Sequence, residues 1–271
     1  MKIGITTFVT DEGISGTKLG TALEDRGFES LFLAEHSHIP ASRRSPNPGG
    51  GEIPRVYYRA MDPFVTLASV AAVTERLILA TGISLLIQRD VIHTAKEVAT
   101  LDRISNGRFV FGVGTGWNRE EMEDHGTDPR TRGALLDEQI EALREIWTKD
   151  LAEYHGKFID FDPMYAWPKP LREIPILLGG GDAAAARAIR HGAGWIPAAV
   201  SDPADIPAQL ARLDGHDLPV TVAFAPADPA LLDAYAEAGV ERLLISLPTL
   251  PEAEAEQALD DIAKAAEDYL N

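Results

Sequence analysis

The chain has 271 residues, 45% hydrophobic and 25% charged, which excludes a disordered or low-complexity polymer and leaves two small domains or one of the larger single-domain folds. Lys and Arg number 25 against 42 Asp and Glu, and the resulting net charge of −17 disfavours nucleic acid as a general partner. Cysteine is absent, so disulfides, thiol nucleophiles and thiolate-held metals are excluded, and any redox work needs a borrowed cofactor.

Read in chain order, short runs rich in Val, Ile, Leu and Phe alternate with amphipathic stretches that stop at Gly or Pro. The first expected strand, Lys2–Phe8, leads to a helix over Gly16–Arg26, and a second strand, Ser30–Ala34, follows Gly27. A long segment rich in Pro, Gly and Arg, His38–Arg59, then precedes the helix Pro63–Thr74. Strand Leu77–Ser84 pairs with helix Val91–Ile104, and strand Arg108–Val113 with helix Arg132–Trp147. An aromatic segment, Glu153–Pro170, reads as a small hairpin or a subunit contact. The remaining units are strand Ile174–Leu178 with helix Asp182–His191, Gly194–Ala198 with Pro203–Arg212, Pro219–Phe224 with Pro229–Ala238, and Arg242–Leu247 with Pro251–Leu270. Gly27, Gly107, Gly192, Gly194 and Gly239 stand where helices end.

Near-continuous apolar strands indicate a parallel sheet covered by helices. Eight βα units at this length predict one (β/α)₈ TIM barrel over residues 1–271, with a long loop after strand 2 and an insertion after helix 4. The N-terminus lacks an apolar signal region and no apolar run approaches ~18 residues, so a cytoplasmic protein with no membrane contact is expected.

In such a barrel the active face is the set of residues just beyond each strand. Gly179, Gly180 and Gly181 end an apolar strand and open a helix, which reads as a phosphate cradle or as a tight turn, with Asp182 as the cap. Gly114, Thr115, Gly116, Trp117 and Asn118 make a poor dinucleotide fingerprint. They leave room for a flat ring with hydrogen bonds from Thr115 and Asn118, or else form a turn with Asn118 as a helix cap. His36 is the natural general acid or base, with Glu35 beside it to orient the ring; a structural histidine is the ordinary alternative. Arg43, Arg44, Arg55 and Arg59 are bunched on the candidate lid at 38–59 and suggest an anionic tail or substrate, or a solvated loop paired with carboxylates. The other histidines are dispersed and no metal site is expected.

The ordered set LAEHSHIP, TGISLLIQRDVIHTAKEVATLDRISNGRFVFGVGTGWNREEMEDHG and ILLGGG with AIRHGAGWIP downstream resembles the luciferase-like monooxygenase superfamily. More narrowly, it resembles the branch of deazaflavin (coenzyme F420)-dependent oxidoreductases. The resemblance spans nearly the whole chain and implies a (β/α)₈ barrel. It also implies a phosphate on Gly179–Gly181 and a ring against a bulge after the third strand, with a cis peptide matching Gly82–Ile83. His36 matches a position in or beside proton transfer. Trp117 replaces the acidic residue of sugar-phosphate dehydrogenase relatives, and no long insertion follows Phe224.

The expected activity is F420-dependent hydride exchange with a small organic substrate, the lid arginines meeting the coenzyme's oligoglutamate tail. One alternative is an FMN-dependent monooxygenase served by a separate flavin reductase, and another a non-catalytic flavin-binding protein. A homodimer is expected from the resemblance.

Overall fold

In the computed structural model, which describes residues 1–198, 200 and 202–270, strands and helices alternate as the apolar rhythm dictates. The first half contains β1 (Lys2–Thr7), α1 (Gly16–Asp25), β2 (Ser30–Leu33), α2 (Arg55–Arg59), α3 (Pro63–Ala71), β3 (Ile78–Thr81), α4 (Val91–Ile104), β4 (Phe109–Val113), α5 (Arg119–Asp124) and α6 (Arg132–Thr148). A hairpin of β5 (Ala152–His155) and β6 (Asp160–Met164) follows, and then β7 (Ile176–Gly180), α7 (Asp182–His191), β8 (Gly194–Pro197) and α8 (Ile206–Ala211). The chain finishes with β9 (Thr221–Ala225), α9 (Pro229–Glu237), β10 (Arg242–Ser246) and α10 (Glu252–Ala265).

Eight strands form one parallel sheet in the order β8-β7-β4-β3-β2-β1-β10-β9. Its two ends meet at a single parallel bridge, Trp195 to Val220, where the Trp195 amide donates to the Pro219 carbonyl at 2.8 Å. The result is a (β/α)₈ barrel. Inside it, Phe32, Ala80, Val110, Leu177, Ile196, Ala223 and Leu244 pack as a separate inner layer, one residue from each of the eight barrel strands except β1. The larger core lies between the strands and their helices.

Local chemistry fixes the boundaries. Asp62, Asp90 and Asp228 accept from the amides of Val65, His93 and Leu231, capping α3, α4 and α9. Gly27, Gly107, Gly192 and Gly239 all have positive φ where helices turn into strands. Gly194 differs from expectation: it is the first residue of β8, where a Cβ would meet the Pro219 carbonyl oxygen at 2.9 Å. At the start of the 153–170 segment, β5 and β6 form an antiparallel hairpin that ends at Met164. No helix among the described residues is long and apolar enough to cross a membrane.

Candidate active site

At the C-terminal ends of the barrel strands lies a cavity of about 790 Å³. Ile196, Ala223 and Leu244 belong both to its lining and to the inner layer, so the barrel core forms its floor. One wall is the stretch after β3, where the Gly82–Ile83 peptide is cis. Thr115, Gly116 and Trp117, beyond β4, form another part of the lining, and Asn47, Pro48 and Tyr57 bring the long segment after β2 against it.

Gly179 and Gly180 also line the cavity, and Gly181 is the cap residue of α7. Gly180 has φ +138, a conformation that residues with side chains rarely adopt, and a Cβ on Gly181 would meet nothing within 4 Å. The Gly181 carbonyl accepts from Ala184 at 2.8 Å and Ala185 at 3.1 Å. The amides of Asp182 and Ala183, in the first turn, therefore have no acceptor within the helix. This is an open cradle of the kind that suits a phosphate. Asp182 is not the cap; its carboxylate pairs with Arg212 at 2.7 Å.

His36 follows β2 and is buried. Its Nδ1 lies 2.8 Å from Glu121 Oε2, and the other oxygen of Glu121 accepts the Ser37 amide at 3.1 Å. An ionised carboxylate only accepts, so the imidazole proton sits on Nδ1 and Nε2 is left to exchange one. Tyr57 at 4.9 Å and Trp117 at 5.8 Å, centroid to centroid, pack on the imidazole and themselves line the cavity. Burial pushes the Tyr57 phenol above its ordinary 10.0, so it stays a neutral hydroxyl.

A luciferase-like monooxygenase model matches residues 15–227. The chain belongs to the luciferase-like monooxygenase family. Uncharacterized protein Rv0953c of Mycobacterium tuberculosis (strain ATCC 25618 / H37Rv) is 38% identical over 261 residues, 92% of each chain. Among solved structures, the monooxygenase RslO1 from Streptomyces bottropensis superposes with a TM-score of 0.79 at 19% identity, covering 99% of both chains. An F420-dependent secondary alcohol dehydrogenase, solved with an F420-acetone adduct, gives 0.78 at 16% identity and covers 100% of both.

Within this luciferase-like barrel several expected roles change hands. Glu35 does not orient His36, because its carboxylate is engaged elsewhere. Its carboxylate instead accepts from Ser84 Oγ, the Leu85 amide and Arg89 Nε, each at 2.7 Å, and braces the segment after β3. Glu121, which sequence reasoning missed, takes the orienting role from α5. The one signal for it was the spacing Asn118-x-x-Glu121: Asn118 Oδ1 accepts the Glu121 amide at 3.3 Å, so Asn118 is a buried helix cap and does not line the cavity.

The glycines also serve differently. A Cβ on Gly114 would strike the end of the Ile83 side chain, and one on Gly179 would lie 2.6 Å from Ile83 Cγ2, so this pair seats Ile83 and clears no space for a ring. Gly116, with φ +64, packs against Leu85.

Three of the four arginines are paired with carboxylates, and Arg43 has an aromatic partner instead. Arg55 pairs with Glu12 at 2.5 Å, Arg59 donates to Asp11 at 2.7 Å, Arg44 pairs with Glu123 at 2.9 Å, and Arg43 lies over the Tyr58 ring at 5.0 Å. None of them lines the cavity. The loop after β1 supplies Asp11 and Glu12, carboxylates far away in sequence that the bunching of arginines does not reveal.

The base of the 38–59 segment is tied to α5 by one side chain. Glu120 accepts from Ser42 Oγ at 3.0 Å, the Arg44 amide at 2.6 Å, the Ser45 amide at 3.0 Å and the Ser45 hydroxyl. Burial opposes its charge, but these hydrogen bonds, led by the Ser45 hydroxyl, outweigh burial and bring the carboxyl from 4.5 down to about 2. A folded-state value below the unfolded one means that the contribution is complete above the unfolded value and is lost as pH falls through the folded one. Glu120→Gln is expected to cost about 1–3 kcal/mol in denaturant unfolding, since its amide group faces donors. That difference should hold steady above about pH 5 and fade towards about pH 2; a deficit equally large at both ends would dismiss the carboxylate as the tie.

Proposed function

We propose that the protein is an oxidoreductase that uses coenzyme F420 to exchange hydride with an organic small molecule. The observation that carries this reading is the buried His36–Glu121 pair packed behind the lining of an otherwise apolar cavity. Exchange of hydride at a carbonyl or alcohol carbon needs one proton placed at the oxygen, and a single oriented imidazole supplies it.

The residues present fit the cofactor: Gly180, Gly181 and the first-turn amides of α7 would hold its phosphate, and Gly82–Ile83 would back its ring. When bound, the deazaflavin supplies the hydride donor or acceptor. Glu121 fixes the tautomer of His36, and Nε2 takes or gives the proton. Tyr57, carried on α2, packs on the imidazole from the cavity lining, while His36 itself lines a neighbouring pocket with Glu35, Ser37 and Gln88. The apolar floor keeps water from the reacting atoms.

The FMN-dependent monooxygenase, with a flavin reductase as partner, is the second reading, and the likeness to RslO1 favours it. The paired arginines no longer argue for an oligoglutamate tail, so the choice rests on His36. A non-catalytic flavin binder would have no use for the buried pair. The reading carries with it a cytoplasmic location and a homodimer, the latter to be measured by sedimentation.

Fluorescence titration with F420 and with FMN, side by side, tests the choice. Preference for F420 is expected; preference for FMN moves the reading to the monooxygenase, and binding of neither removes the cofactor. Gly180→Asp should weaken the bound cofactor about 10²-fold or more, because it sets a carboxylate in an anion cradle. Unchanged affinity would place the phosphate elsewhere.

A further inference from the structure

β9 is not regular. Val222 pairs with Leu243 and Ala225 with Ile245, so Ala223 and Phe224 together stand opposite Leu244. This is a β-bulge, a device that re-aims a side chain at a strand end. Within it Phe224 has φ +67, a left-handed conformation that glycine adopts without cost and a bulky side chain resists. The ring is 67% exposed and lines the cavity, with Ala223 and Leu244 of the same bulge beside it. Folding alone would favour glycine there over an exposed phenylalanine, and strained backbone of this kind collects at functional sites.

Charge gives a second, independent indication. Among the described residues lining the cavity there is no Lys, Arg or His, and the one carboxylate is Glu52. In a protein of net charge −17, such a cavity repels anions beyond the phosphate cradle. Trp117 and Tyr57 add two more rings to the wall.

Building on the oxidoreductase reading of this cavity, we infer that its substrate is an uncharged, apolar molecule with a flat ring, held by Phe224 and Trp117, and that carboxylated or phosphorylated substrates are turned away, the phosphate cradle being taken by the cofactor. Phe224 is the residue that sets this selectivity.

Acetophenone and benzoate, alike in shape and different in charge, serve as probes in isothermal titration calorimetry, with and without whichever cofactor binds. Acetophenone should bind at least about tenfold more tightly than benzoate. Phe224→Gly should weaken acetophenone about tenfold while the melting temperature holds or rises, since the backbone is relieved as the ring is lost. Glu52→Lys should raise benzoate affinity severalfold. Equal or tighter binding of benzoate to the parent protein, unchanged acetophenone affinity in Phe224→Gly, or binding of neither probe overturns the inference. Cofactor affinity is read separately by fluorescence, so loss of the cofactor reading and loss of this one are distinct results.

Discussion

His36→Ala is expected to slow turnover by ~10²-fold or more while leaving the barrel folded and the cofactor bound. The imidazole is not among the residues lining the cavity and makes its polar contact through Nδ1 with Glu121, so truncation removes a proton site without opening the cofactor cradle. Glu121 keeps the Ser37 amide as a partner, which limits the stability cost of the variant to about 1–3 kcal/mol. The measurement is a single-turnover trace of cofactor absorbance beside a cofactor titration. A wild-type rate removes His36 from the mechanism, and loss of cofactor binding would assign it to the cofactor site. Glu121→Gln provides the companion test. Its amide can leave the ring in either tautomer, so its rate should fall between the parent and His36→Ala, with a changed pH–rate profile.

The largest effect on stability is expected at Gly112. A Cβ there would drive into the Thr81 carbonyl oxygen and lie 3.2 Å from its carbon, and that obstacle is backbone, which cannot swing aside. The Gly112 carbonyl also accepts from Thr81 Oγ1 at 2.7 Å and from the Ser84 amide at 2.7 Å, so relief by movement of β4 would break the contacts that hold the stretch after β3. Gly112→Ala should therefore cost more than about 3 kcal/mol by denaturant unfolding. Gly181→Ala is the control, because its Cβ would enter open space at an ordinary φ of −80; a change within about 0.5 kcal/mol is expected. Equal effects at the two positions would mean that β3 and β4 separate more readily than their register implies.

The barrel was legible because strands buried on both faces are uninterrupted apolar runs, and because Gly27, Gly107, Gly192 and Gly239 mark the helix ends. The backbone of the candidate site was legible at Gly180, in a glycine run between strand and helix, and at Gly82–Ile83 through the family resemblance alone, whereas long-range pairing left no local mark. His36 and Glu121 are 85 residues apart, and nothing local in LAEHSHIP points to α5. Short polar helices such as α2 and α5 lack the apolar repeat that reveals longer ones. The conformation of Phe224 depends on the register between β9 and β10, which only the folded sheet fixes.

Glu120 and Glu121 are consecutive, and in a helix consecutive side chains diverge by about 100°. One carboxylate tethers the outer segment through Ser42, Arg44 and Ser45, and its neighbour steers the imidazole. The two tasks thus share one peptide unit, with no hinge between them. The docking of the 38–59 segment and the orientation of the imidazole therefore rest on the same turn of α5, written into two adjacent letters of the sequence.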